Sequence, residues 1–301
     1  LGNKMPFELQ HIACAVDFSD HTKGVLRWGR FLARSFDARL SVFHAVTASH
    51  DRFPDTAIFE RGGRQSDLLA AARQRLEEIV APLENAKSIA VAGDPVAALG
   101  DYARKTSVDL VVAARHGFSG IQRVLLGSVV ERMGRELATA LLVVNMNAAG
   151  DTVSYPFRKV VVALEADDAH APAFEVAVVM ARCFDADLYL VSAMERPLLA
   201  DELEPIEGPY REIQTALQQR LQQKMADMTS PLAGDLNVTV DLVPGPAVEV
   251  LPSYVRRRQA DLLIVGVKSR RRFQQWLIGS TTEAALRHAA CAVLTVPTTM
   301  N

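Results

Sequence analysis

Two stretches of this chain place glycine, serine and basic side chains directly after an apolar run, an arrangement suited to holding an anion. In the first, Val111-Val112-Ala113-Ala114 leads through Arg115, Gly117 and Arg123 to Gly127-Ser128, where a helical pattern begins. In the second, Leu262-Leu263-Ile264-Val265-Gly266 leads through Ser269 and Arg270-Arg271-Arg272 to Gly279-Ser280. Nine residues separate Gly117 from Gly127, and nine separate Ser269 from Gly279. Glycine lets the main chain come close to an anion, and the first amides of a helix lack intrahelical partners and point toward it. Apolar strand, glycine-bearing loop and helix start therefore read as a phosphate cradle, present twice.

Other chemistries find less support. The seven histidines are scattered without zinc-site spacing, and the P-loop lysine motif, Gly-x-Gly-x-x-Gly and the nucleophile elbow are all absent. Cys14, Cys183 and Cys291 fall in apolar segments without ligand spacing and are expected to be small, reduced core residues.

The elements that must position the loops follow from periodicity. Ile12 to Val16 is a short apolar run closing on Asp17; Ser19 and Asp20 offer caps for an amphipathic helix to about Ser35. A second strand over Leu40 to Val46, a long helix from about Arg64 to Val80 and a third strand near Ser88 to Ala92 come next. Asp94-Pro95 begins another helix, with aspartate as cap and proline where its missing N–H costs nothing. Strand four is Leu110 to Ala113, and strand five, Ala140 to Asn145, follows the helix after the loop.

The second half repeats this order. At an offset of 148, Asp17 falls on Glu165 and Phe36-Asp37-Ala38 on Phe184-Asp185-Ala186; at 152, Gly93 falls on Gly245, Asp109 on Asp261 and Gly127 on Gly279. The boundary falls in the polar stretch 147–156, giving domains over 5–147 and 156–301, while an acidic, proline-bearing segment over 196–209 is a candidate lid. Strands alternating with crossovers long enough to be helical predict an α/β fold with a parallel sheet covered on both faces. Long helices near 64–80 and 210–228 are expected to cover the core. A net charge of −2 argues against nucleic acid as a partner, and no apolar run reaches the roughly 18 to 20 residues of a membrane span, so a cytoplasmic protein is expected.

With these residues in view, the chain resembles the universal stress proteins in their tandem two-domain form, over nearly its whole length. That family carries Gly-x2-Gly-x9-Gly-Ser/Thr after its fourth strand. Here Ala114-x2-Gly117-x9-Gly127-Ser128 and Gly266-x2-Ser269-x9-Gly279-Ser280 have each lost a different glycine. The resemblance implies two doubly wound domains, each a five-stranded parallel sheet in the order 3-2-1-4-5. It also implies an adenine nucleotide, ATP alone or with Mg2+, held by Asp17 at the ribose, by the main chain of Ala45 at the base, and by Ala114, Arg115, Gly117, Gly127 and Ser128 at the phosphates. Gly266, Gly279 and Ser280 take the matching positions in the second half, which is expected to be degenerate because Glu165 and Ser269 replace the acid and a glycine. Pairing of the two halves within one chain, and of two chains, would follow family habit.

An open parallel sheet independently places its ligand where the strand order reverses, between strands one and four. The expected role is a nucleotide-dependent stress-response regulator acting on an unidentified protein partner. No catalytic base stands beside the loop, so slow hydrolysis at most is expected. A nucleotide-independent interaction module and a phosphoryl- or nucleotidyl-transfer enzyme are the alternatives.

Overall fold

The computed structural model describes residues 8–47, 65–116, 126–145, 157–164, 172–194, 209–267 and 279–298. Gly117, Arg123, Glu165, Ser269, the 270–272 arginines, the 147–156 linker and the candidate lid up to residue 208 lie outside them. Contacts separate two compact units, each an α/β domain.

The first unit comprises β1 (His11–Ala15), α1 (Thr22–Phe36), β2 (Arg39–Val46), α2 (Gln65–Val80), β3 (Ala86–Ala92), α3 (Pro95–Thr106), β4 (Leu110–Ala114), α4 (Ser128–Glu136) and β5 (Ala140–Val144). Its strands are parallel, in the order β3-β2-β1-β4-β5. The second unit repeats this with β6 (Lys159–Ala163), α5 (Pro172–Phe184), β7 (Asp187–Met194), α6 (Pro209–Thr229), β8 (Val238–Pro244), α7 (Ala247–Arg258), β9 (Leu262–Val267), α8 (Ser280–His288) and β10 (Ala292–Pro297). Its order is β8-β7-β6-β9-β10, also parallel. Winding reverses after the third strand of each unit, so right-handed crossovers set the first two helices on one face and the last two on the other.

Strands buried on both faces read as continuous apolar runs, and Val111, Val112, Leu142 and Val143, like Leu263, Ile264 and Val293, are almost wholly buried. Each such side chain contributes about 1.5–3 kcal/mol relative to exposure. The duplication extends to the backbone: left-handed residues recur at matched positions, Asp37 (φ 52°) with Asp185 (51°) and Ser107 (52°) with Gln259 (54°). Gly93 (φ 141°) and Gly245 (125°) likewise end the third strand of each unit in a conformation that side chains rarely adopt. Asp109 accepts from the amides of Gln10 and His11 at 2.8 and 2.9 Å, and Asp261 does the same for Arg158 and Lys159 at 2.8 and 3.0 Å. Each carboxylate thereby fixes the start of its unit's central strand.

Under the third helix the units differ. In the first, the Thr106 carbonyl accepts from His11 Nδ1 at 3.1 Å, so the imidazole proton sits on Nδ1 and Nε2 accepts from Ser41 Oγ at 2.7 Å. Ser41 Oγ accepts in turn from Tyr102 Oη at 2.8 Å. Burial holds the His11 pKa below its ordinary value, consistent with this neutral chain. In the second unit, Tyr254 Oη and Arg258 Nη2 both donate to Asp241 Oδ2 at 2.5 Å, and the Arg258 guanidinium stacks over the rings of Tyr189 and Tyr254. Burial raises the Asp241 carboxyl, but the Tyr254 and Arg258 hydrogen bonds outweigh it and hold its pKa below the ordinary range.

Three local expectations need correction. The start of α1 is not capped by Ser19 or Asp20: His21 occupies the cap position, and the Ser19 amide and hydroxyl bond instead to Asp17 Oδ1 at 3.0 and 2.6 Å. An aspartate two residues back offers Ser19 a turn of its own, which competes with capping. Cys14 and Cys291 are buried as expected, but Cys183 is exposed, because the penultimate position of α5 faces away from the sheet. Burial pushes the Cys14 thiol up to about 12. Whereas α2 covers the sheet with Leu68, Ala72, Leu76 and Val80, α6 buries only Met225 among its described side chains.

Candidate functional site

The crevice of the first unit opens where β1 and β4, neighbours at the centre of the sheet, run out on the same edge. Asp17 stands two residues beyond β1, exposed, with one carboxylate oxygen engaged by Ser19. Past β4, the Arg115 amide donates to the Val144 carbonyl and the Arg115 carbonyl accepts from the Gly127 amide, both at 3.0 Å. This second bond ties the two ends of the loop over 116–126 into a neck, so whatever the loop does begins and ends at one fixed point. The Arg115 side chain is only 6% exposed, not spread in solvent as loop arginines usually are.

Ser128 opens α4 and is exposed. Gly127, the cap residue, has φ −61° and ψ 136° and no side chain to spend on the first amides. The contrast with α3 is informative. There Asp94 accepts from the amides of Val96 and Ala97 at 3.1 and 3.0 Å, satisfying the helix start internally. Arg132 on α4 donates to the same carboxylate at 2.7 Å, and with that guanidinium beside it the Asp94 pKa falls to about 2.

Ala45 lies in β2 opposite Val91 of β3. The amide of Val16 donates to the Phe43 carbonyl at 3.0 Å, so odd-numbered β2 residues turn their peptide groups toward β1. Ala45 shares that direction beyond the end of β1, which aims its N–H and C=O at the crevice. Ala114 is an ordinary strand residue paired with Val144, and no left-handed torsion makes its methyl group costly. Among the sequence-derived residues, Asp17, Ala45, Ala114, Arg115, Gly127 and Ser128 thus gather at one edge of the sheet, while Gly117 falls outside the described residues.

Sequence reasoning missed Phe18 and Arg75. Phe18 is buried with φ 60°, an uncommon torsion for an aromatic residue and a sign of local strain. Its ring lies 4.2 Å from that of His44, whose Nδ1 donates to the Val16 carbonyl at 2.8 Å, and the Arg75 guanidinium stands 4.8 Å over it. The turn that aims Asp17 is therefore backed by a packed stack reaching β2 and α2. A lone aromatic directly after the acid at a strand end was the available signal.

In the second unit Gly266 lies within β9, paired with Val296, and among the described residues a methyl group there would meet only Ala173, at 3.9 Å. Gly279 caps α8 with φ −65°, and a methyl group there would meet nothing within 4 Å among the described residues. Neither its torsion nor packing among the described residues requires glycine at 279. Ser280 is exposed at the first position of α8. Among the described residues, no group of three or more His, Cys, Asp and Glu is placed to hold a metal ion, and no helix is long and apolar enough to cross a membrane.

Comparison with known proteins agrees with this architecture. A family model described as the universal stress protein family matches residues 8–145 and again 156–297. A universal stress protein of Methanocaldococcus jannaschii is 23% identical over 143 residues, covering 46% of this chain and 82% of that protein. A universal stress protein structure from Archaeoglobus fulgidus matches with a TM-score of 0.65 at 17% identity, over 97% of this chain and 100% of that one. A functionally unknown protein from Pseudomonas aeruginosa matches with a TM-score of 0.68 at 13% identity, over 96% and 93% of the two chains. At such identities the structural likeness speaks for the fold, and the two family matches, which together span nearly the whole sequence, establish that the chain belongs to the universal stress protein family in tandem form.

Proposed function

We propose that the first unit binds an adenine nucleotide, ATP, and that this occupancy is read by a protein partner in a cytoplasmic stress response. In this reading Asp17 accepts from the ribose hydroxyls, the Ala45 peptide groups meet the base edge, and the loop from Ala114 to Ser128 surrounds the phosphates. The observation that carries it is the joint placement of Asp17 and the Arg115–Gly127 neck beyond two adjacent central strands at the point where strand order reverses. A helix start capped by glycine, beside one satisfied by its own aspartate, fits a phosphate that supplies the missing acceptor. Any Mg2+ would arrive with the phosphates.

Titration calorimetry of the full chain with ATP tests the reading. Asp17→Ala is expected to weaken binding at least about tenfold by removing a charge-assisted hydrogen bond. Gly127→Glu places a carboxylate against the phosphates and is expected to abolish binding, whereas Gly279→Glu leaves it unchanged if the second unit is degenerate. Binding that ignores both Asp17→Ala and Gly127→Glu sinks the assignment. No ATP binding at all favours the interaction module, and rapid turnover lost in Asp17→Ala favours an enzyme.

A further inference from the structure

In the second unit, the region beside the Asp241–Tyr254–Arg258 cluster opens into a cleft of about 460 Å³, lined by Asp241, Leu242, Val243, Pro244, Arg257 and Arg258. That volume falls in the range of small-molecule sites, roughly 300–1,000 Å³. It lies at β8, the strand that ends the sheet order of its unit, and not at the crevice where β6 and β9 run out. The Gly245 amide donates to the Met194 carbonyl and the Asn237 carbonyl accepts from Leu188, so odd-numbered residues here turn their peptide groups to β7. Leu242 consequently turns its N–H and C=O to the open edge, and Pro244 has no N–H to offer.

The charges are unequal. Arg258 is committed to Asp241, while Arg257 is exposed and makes no ion pair among the described residues; its guanidinium stands 5.4 Å over the Tyr254 ring. The cleft is therefore net positive, with one planar donor fork left for a ligand. The fold itself does not demand this set. At the matched positions of the first unit stand Ile89, Lys105 and Thr106, and a neutral hydrogen-bond chain satisfies the same layer.

We propose that this cleft binds a small organic monocarboxylate, independently of the nucleotide reading. Arg257 engages the carboxylate, the Leu242 amide adds a directional donor, and Val243, on the same strand face as Asp241, offers apolar contact to the ligand body. A monoanion suits the site better than a phosphate dianion, because Asp241 lies in the same lining and repels a second negative charge.

The test is an amide-resolved NMR titration of the full-length protein with benzoate, with benzyl alcohol as neutral analogue and inorganic phosphate as competing anion. Benzoate is expected to shift the Leu242, Val243 and Gly245 amides and the Arg257 side-chain N–H saturably, with Kd on the order of millimolar for so small a ligand. Arg257→Gln is expected to weaken this about tenfold, with melting temperature and ATP titration unchanged, while the neighbouring exposed Arg256→Gln leaves it intact. Benzyl alcohol matching benzoate, phosphate saturating the same amides as tightly, or Arg257→Gln leaving the benzoate Kd unaltered overturns the proposal.

Discussion

The layer beneath the third helix is built on one backbone in both units, yet it is held together by different chemistry. In the first unit His11, Ser41 and Tyr102 pass neutral hydrogen bonds to the Thr106 carbonyl, each donor and acceptor used once. In the second, Tyr254 and Arg258 converge on the one carboxylate oxygen of Asp241, and Lys159 donates to the Arg258 carbonyl at 3.1 Å. The opposite layer shows the same substitution in apolar form: Cys14 against Gly29 in the first unit takes the places of Val162 and Ala177 in the second. The lesson is that a parallel sheet and its covering helix fix the space to be filled, and several side-chain sets fill it.

Crowding at Gly29 offers the largest test. A methyl group there would lie 2.1 Å from the Cys14 sulfur, so Gly29→Ala is expected to cost about 2 kcal/mol in denaturant unfolding. Adding Cys14→Ala to Gly29→Ala should recover most of that loss, and a double-mutant cycle showing no coupling would break the proposed exchange of volumes.

Next come the tyrosines. Tyr254→Phe removes a hydrogen bond to a charged group and is expected to cost about 2 kcal/mol, against about 1 kcal/mol for Tyr102→Phe in the neutral chain. Equal costs would erase the distinction between ionic and neutral layers.

A smaller difference lies at the helix starts. Asp94→Ala should cost about 1 kcal/mol through loss of the α3 cap, whereas the matching cap of α7, Pro246, makes no side-chain bond to lose. Because the folded pKa of Asp94 is depressed to about 2 from 3.8, its contribution is complete above about 3.8 and is lost as pH falls toward 2.

The smallest effect concerns His11. Its folded pKa lies below the ordinary 6.5, so the unfolded state binds the proton first. Stability from this group is complete above pH 6.5 and declines as pH falls below it. Melting curves between pH 8 and 5 should show a slope that His11→Gln flattens; an unchanged slope would place the titration elsewhere.

Much of the molecule was legible in the chain itself. Five short apolar runs separated by helical patterns, repeated at fixed offsets, determined two α/β domains with parallel sheets, because strands buried on both faces leave no alternation to misread. Asp94-Pro95 and Gly127-Ser128 marked helix starts correctly, since capping depends on neighbours in sequence. Ser19 misled because Asp17, two residues away, offered its hydroxyl and amide a competing bond. The tertiary structure alone decided the rest. It tied Arg115 to both Val144 and Gly127 and buried its side chain. It set Phe18 at a positive φ behind Asp17, joined Asp241 to Tyr254 and Arg258, and left Cys183 outside the core. The contacts among these depend on how strands, helices and loop ends pack in three dimensions, and the exposure of Cys183 on which way α5 turns, relations that hydrophobic period and local propensity do not encode.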